Sequence, residues 1–396
     1  MPFARDFPAI DNVPNQKDLV PRVGAAYDLF GTGKTALKVS VGKYLEGTGI
    51  EIGSAVNPAS ATAGTTGVRA WNDVNRDFIP QENELGPNSN ANFGKSIVPI
   101  RYAPDTVTGW GTRGWNWEMS SALQHELRPG LSVEASYHRR WFGNFRVTDN
   151  ALVTPVDYDP YCVTAPTDPR LPGGGGQQMC GFFDITPTKF GVNDNIVTFA
   201  TDFGEQNEVY DGVDVTVNAR LRGGLTFQGG TNTGRTRTNS CVVVDSPQAL
   251  KFCDVRPPFQ TQVKFLGIYP LPWWGLQAAA TYQSLPVPQI TASWSAASAL
   301  IAPSLGRSLA GGARSATIPL IAPGALFGDQ RMHQVDFRIA RTFRISGMRL
   351  QGMLDLYNMF NANPILAYNN IYGPAWRAPL LILEGRLAKF GIQLDF

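Results

Sequence analysis

Asp73, Asn75, Asp77 and Glu84 occupy positions one, three, five and twelve of a twelve-residue window, DVNRDFIPQENE. Hard oxygen donors at that spacing match the ligand positions of an EF-hand calcium loop. The backbone carbonyl of Ile79 would stand at position seven, and Glu84 would bind through both oxygens. Position six, a glycine in such loops, is Phe78, and Pro80 restricts the backbone further. No helical pattern flanks the window, which excludes a calcium sensor. Two readings stay open: a structural calcium site that rigidifies one loop, or an acidic, turn-rich loop without metal.

Other chemistry is thinner. Cys162, Cys180, Cys241 and Cys253 form no C-x-x-C pair, and His125, His138 and His333 sit in ordinary alternating segments, so a zinc site is not expected. Local disulfides, Cys162 with Cys180 and Cys241 with Cys253, fit the Gly/Pro-rich loops between them and imply an oxidising compartment. DLFGTGKT (28–35) ends like a phosphate-binding loop, but its first position is Asp28 and an alternating strand follows instead of a helix. A tight turn is the better reading. LPGGGGQQ (171–178) reads as a flexible loop. G-x-S-x-G, a Cys/His pair and a paired-carboxylate cleft motif are all missing, so an enzyme is not expected.

The elements that must position these residues are strands. In EVYDGVDVTVNARL (208–221), Val209, Val213, Val215, Val217, Ala219 and Leu221 share one face while Tyr210, Asp214, Thr216, Asn218 and Arg220 share the other. The same period of two recurs at 22–30, 35–44, 115–127, 131–141, 225–230, 262–269, 276–283, 335–343, 348–357 and 389–396. About eleven strands result, and no convincing amphipathic helix. Forty-one Gly and 29 Pro among 396 residues supply the turns. Lys+Arg 34 against Asp+Glu 32 gives no nucleic-acid surface, and 17% charged residues is low for a protein wholly surrounded by water.

Connections alternate in length. GTGK, RPG, RGG, LPWWG and SG are short, whereas those between them run to tens of residues. A soluble sandwich has no reason for this asymmetry; an outer-membrane barrel, with short periplasmic turns and long extracellular loops, does. Trp115 and Trp117, Trp141 and Phe142, and Trp273 and Trp274 lie near strand ends, as interfacial girdles would. Glu118, Glu126, Asp214, Arg220, Asp336, Arg338 and Asp355 fall on the polar wall and are candidates to line a lumen. The chain closes on alternating Phe390, Ile392, Leu394 and Phe396, which resembles the signal that the outer-membrane barrel assembly machinery reads. MPFARDFPAIDNVPNQKD (1–18) shows no secretory signal.

DLYNMFNAN (355–363) with EGRLAKFGIQLDF at the end of the chain resembles the C-terminal end of TonB-dependent outer-membrane receptors. PRVGAAYDLFGTGKTALKVSVGKY, WNWEMSSALQHELRPGLSVEASYHRRWFGNF and VYDGVDVTVNARL are similar, more narrowly, to Oar-like receptors that carry a carboxypeptidase-regulatory-like domain. The resemblance covers nearly all of residues 1–396. It implies about half of a 22-stranded barrel, the C-terminal part, without the plug domain, TonB-contacting box and signal peptide such receptors have. It further implies a place in the outer membrane of a Gram-negative-type cell, contact with outer-membrane lipid, energy from the TonB complex through the missing plug, and an unidentified nutrient ligand. A surface adhesion or interaction protein is the alternative, and a secreted soluble β-sandwich lectin a third.

Overall fold

The computed structural model describes residues 11, 13–57, 67–90, 93 and 100–396. Residues 1–10, which carry most of the reading for a missing secretory signal, lie outside the described residues. Eleven long strands form one continuous wall in chain order: β1 (Arg22–Asp28), β2 (Thr35–Leu45), β3 (Trp115–Arg128), β4 (Leu131–Gly143), β5 (Asn207–Arg220), β6 (Thr226–Asn239), β7 (Gln260–Pro270), β8 (Leu276–Leu285), β9 (Met332–Ile345), β10 (Met348–Tyr357) and β11 (Leu387–Asp395). Every neighbouring pair is antiparallel, and the pair Asp254–Val255 adds a short twelfth strand beside β6. Each strand corresponds to one alternating segment of the sequence.

The hydrogen-bond register assigns every side chain to a face, because directly opposed residues point the same way. Val213 faces Tyr137 on one side and Thr233 on the other, and Val215 faces Ala135 and Thr231. This outer face is apolar and uncovered: Val213 is 48% exposed, Phe390 80% and Ile392 79%. From Val213 to Leu221 its side chains rise about 20 Å, taking ~3.3 Å per residue and a strand tilt of ~40°. That approaches the height of a hydrocarbon band. The inner face is polar. His138 lies 3.5 Å from Asp214, Lys38 pairs with Glu134 at 2.9 Å, and Glu118 pairs with Arg140 and Asp355 with Arg338.

Two glycines show why the wall tolerates a large ring inside it. Gly212 and Gly234 oppose each other on the inner face, and a Cβ on either would stand 2.3 Å from the Tyr210 hydroxyl oxygen. The phenol therefore lies across the glycine pair. Phe142 corrects one expectation. It follows the outward Trp141, so the pleat turns it inward, opposite Asn116, with the Arg140 guanidinium 6.0 Å from its ring centre. It belongs to the lumen wall, not to a girdle. Trp117 and Trp141 do face outward, stacked at 6.3 Å. At the other end Trp273 and Trp274 project from the turn, 63% and 76% exposed.

Odd-to-even connections are the short ones, with only Pro129 and Gly130 between β3 and β4 and Ser346 and Gly347 between β9 and β10. DLFGTGKT is one of these turns: Asp28 accepts hydrogen bonds from the Phe30 and Gly33 amides and no helix follows. The even-to-odd connections hold most of the remaining structure, including helices Glu51–Val56, Pro104–Val107 and Ser298–Leu305, which the sequence did not announce. Ser298–Leu305 is eight residues long with Pro303 inside, too short for a periodic pattern to register. Among the described residues no helix is long and apolar enough to cross a membrane, which says nothing of strands.

Each of β1 and β11 has one neighbour among the described residues. Both run toward the short-turn side. Pairing them with each other would be parallel, so an antiparallel closure needs an odd number of further strands. The facing argument predicts that Val215→Arg destabilises the folded wall by about 2–4 kcal/mol, whereas Thr216→Arg costs under ~1 kcal/mol. Urea titration of each variant in phospholipid vesicles, read by heat-modifiable migration, checks the difference; equal costs would assign the faces wrongly.

Candidate functional site

The only extended hydrophobic core among the described residues lies in the long connections and not in the wall. Phe182, Ile290, Ile301 and Ile318 are fully buried, and with Tyr161, Val163, Leu171, Leu309, Tyr368 and Trp376 they draw on three connections, 144–206, 286–331 and 358–386. Local sheets prepare the surfaces: Tyr158–Thr164 pairs with Gln178–Ile185, Ser293–Ala297 with Ser315–Pro319, and Ile365–Tyr368 with Pro379–Ile382. The result is a packed cap on the loop side of the wall.

Two arginines lock its parts. Arg307 donates to Asp159 at 2.7 Å, to Asp184, and to the Ile185 carbonyl at 3.0 Å. Its paired carboxylates hold the guanidinium above its ordinary pKa even though burial opposes the charge. Arg170 binds Asp168 at 2.7 Å and reaches the Gly373 and Trp376 carbonyls, while Trp376 Nε1 donates to the Thr291 carbonyl at 2.8 Å. One arginine and one tryptophan thus join three connections. The remaining two attach separately: Ile100–Tyr102 pairs with Asn195–Phe199, and Lys251 Nζ donates to the Cys180 carbonyl at 2.8 Å.

Both disulfides stand in this cap. Cys162–Cys180 clips the 158–185 hairpin, and Cys241–Cys253 closes the connection after β6. Loops of that length restrict the unfolded chain by roughly 3 kcal/mol each. Between the first pair of cysteines, LPGGGGQQ is a defined turn and not a flexible tether. Gly173, Gly174, Gly175 and Gly176 all take left-handed φ, and a Cβ on Gly175 would stand 1.9 Å from the Pro166 carbonyl oxygen.

The acidic window folds as a closed turn. Carboxylate oxygens of Asp73, Asp77 and Glu84 all lie within 4.8 Å of one another. Asp73 accepts from the Phe78 amide, Asn75 from the Asp77 amide and Asp77 from the Ile79 amide, at 2.8–3.0 Å. Phe78 adopts φ +60°, so the position that lacks the expected glycine keeps the left-handed backbone glycine would supply, at a cost of roughly 1 kcal/mol. Glu84 is buried, and its oxygens accept from Trp71 Nε1 and from the Val74 and Gln81 amides. Asp73 Oδ1 is buried without a hydrogen-bond partner. The donor set therefore fits a hard cation. Asn75 joins the cluster through its hydrogen bonds to Asp77; Ile79 joins through its amide.

Below the cap the inner wall encloses a trough of about 830 Å³, lined by Arg22, Tyr44, Glu118, His138, Arg140 and Tyr210 among others. All seven lumen candidates, Glu118, Glu126, Asp214, Arg220, Asp336, Arg338 and Asp355, are on this face by register. Sequence reasoning missed the cap residues Arg170, Arg307 and Trp376, whose partners on other connections are more than 80 positions away. At the C-terminus Phe390, Ile392 and Leu394 share the outer face and Phe396 is fully exposed.

Acid should loosen the cap. The Arg170 guanidinium, then the Arg170 amide and Tyr372 hydroxyl, hold Asp168 down at about 2. Its folded pKa lies below the unfolded value of ~3.9, so its contribution is full above about pH 4 and lost as pH falls toward 2. Hydrogen exchange of residues 368–378 at pH 5 and pH 2.5 is expected to show protection falling with acid in the native chain and already low at pH 5 in Asp168→Asn.

Comparison with known proteins follows this geometry. The family model described as "Outer membrane beta barrel domain" matches residues 10–230, more than half of the chain. Comparison with curated proteins returns no match. Similar solved structures include the outer membrane transporter YddB from Escherichia coli, 9% identical with a TM-score of 0.45, over 93% of this chain and 39% of that one. The ferripyoverdine receptor of Pseudomonas aeruginosa is 11% identical with a TM-score of 0.43, over 94% and 32%. The FrpB iron transporter from Neisseria meningitidis is 10% identical with a TM-score of 0.43, over 94% and 38%. The chain spans less than two fifths of the length of each. With an apolar outer face, a charged inner face and a family model matching its first five wall strands and the start of the sixth, this chain belongs to the outer membrane β-barrel domain family and resides in the outer membrane.

Proposed function

We propose that the chain is the C-terminal half of the barrel of a TonB-dependent receptor that takes up a nutrient across the outer membrane. The observation that carries this reading is the stacking of a packed, disulfide-tied cap over a trough walled by paired charges. A cap built from all five long connections offers a preformed capture surface, and the trough beneath offers a polar path inward. The open, same-direction edges at β1 and β11 fit an odd complement of about eleven strands, which would bring the total to 22. Alternating carboxylates and guanidiniums along the lumen, such as Glu118 with Arg140 and Asp355 with Arg338, suit the docking of a plug through which the TonB complex would act. The outward Phe390, Ile392, Leu394 and Phe396 would present the terminal strand to the barrel assembly machinery.

The acidic turn extends the same reading. Asp73, Asn75, Asp77 and Glu84 would hold a structural calcium, the cation replacing the missing partner of Asp73 Oδ1 and fixing the connection between β2 and β3. Its part is structural and no transport step passes through it.

Growth of a strain lacking the gene, on a panel of scarce nutrients, tests the transport reading. Uptake of at least one nutrient should fall and return with the native gene but not after collapse of the proton-motive force. Unchanged uptake throughout, with loss of cell attachment instead, would make it an adhesin. For calcium, limited proteolysis of residues 67–90 should slow with added Ca²⁺ in the native protein and not in Asp73→Asn; protection indifferent to chelator would assign the cluster to an ordinary acidic turn.

A further inference from the structure

The outer face carries one cluster of charged side chains that neither the barrel reading nor a lumen role accounts for. Arg139, Asp211 and Arg235 are directly opposed on β4, β5 and β6, and Arg237 lies one outward position nearer the cap. The register places all four on the lipid-facing side. They sit immediately above the apolar rows of Val213 and Val215, with Arg237 level with the stacked Trp117 and Trp141 at the cap-side end of the band.

Charge at this height is costly unless something compensates it. Asp211 does so in part, taking Arg139 at 3.3 Å, Arg237 at 2.9 Å and the Tyr137 hydroxyl at 2.7 Å. One carboxylate against three guanidiniums leaves an excess of positive charge. Arg235 has no carboxylate in reach; its guanidinium lies 4.4 Å over the Phe259 ring, and Phe259 is half exposed. The Nε atoms of Arg235 and Arg237 are both buried and without a hydrogen-bond partner.

We propose that Arg139, Arg235 and Arg237 bind the phosphate of an anionic lipid headgroup in the outer leaflet. Guanidiniums match phosphate oxygens through paired N–H donors, and arginine is the side chain suited to a partly desolvated site of this kind. Asp211 fixes Arg139 and Arg237 side by side, and Phe259 holds Arg235 beside them. The Val213 and Val215 rows directly below supply the surface on which acyl chains lie. A soluble anion would gain the headgroup contacts but not that apolar one, so the site selects a lipid. The lipid in turn would brace β4, β5 and β6, the strands beneath two of the cap's connections.

Protein extracted from its native outer membrane in mild detergent tests this, with native mass spectrometry counting retained phosphorylated lipid. Arg235→Gln with Arg237→Gln should lower retention about tenfold or more, at about a fivefold loss for each arginine near an anionic surface. Arg341→Gln, an outward arginine at the turn side, should leave retention unchanged. Heat-modifiable migration confirms that each variant is folded. Retention unchanged in the double variant overturns the proposal, as does an equal loss in Arg341→Gln. Displacement of the lipid by 10 mM inorganic phosphate would assign the site to a free anion and overturn it as well.

Discussion

A peptide group in hydrocarbon has no water to bond, so each N–H and C=O in the wall must find its partner on a neighbouring strand. Everything else in this molecule depends on that requirement. It makes the antiparallel ladder continuous from β1 to β11 and leads the pleat to sort side chains into a lipid face and a lumen face. The wall therefore has no core of its own: most of its apolar residues face outward, and its inner face is held by ion pairs and hydrogen bonds. The cap, which meets water, obeys the ordinary rule and buries its apolar residues around Phe182, Ile290, Ile301 and Ile318. One chain thus solves two opposite solvation problems, and the boundary between them runs along the strand ends.

That boundary concentrates the features of functional interest. Trp117 and Trp141 mark it on the outside, the arginine cluster around Asp211 stands at the same level, and on the inside the mouth of the trough lies between Tyr44, Glu118 and Tyr210. The acidic turn and both disulfides sit beyond it, in the connections where no ladder dictates conformation. There, local constraints substitute for the ladder: the two covalent clips, the left-handed glycines of residues 173–176, and the arginine clamps at 170 and 307. A loop cap held in this way can change shape only as far as these ties permit.

Much of the wall could be read from the residues alone. Alternation in segments such as 208–221 fixes the strand, its two faces and, through the short turns, its neighbour. Each of these is a local property, set within a few residues by the period of two and by glycine-rich turns. The lumen positions Glu118, Asp214, Arg220, Asp336, Arg338 and Asp355 followed from the same periodicity. Phe142 was misread because aromatic clustering near a strand end was followed instead of parity.

The sequence by itself determined eleven alternating strands, their short and long connections, which wall of each strand is apolar, and the oxygen spacing of the acidic window. Only the tertiary structure decided how the long connections pack. Ile100–Tyr102 meets Asn195–Phe199, Arg307 meets Asp159 and Arg170 meets Trp376 across separations that no local pattern encodes. It also decided that Phe78 takes the left-handed backbone and that three arginines from neighbouring strands share one lipid-facing patch. The physical reason is range: ladder and pleat are specified residue by residue, whereas a cap and a charge cluster exist only once distant segments have been brought together.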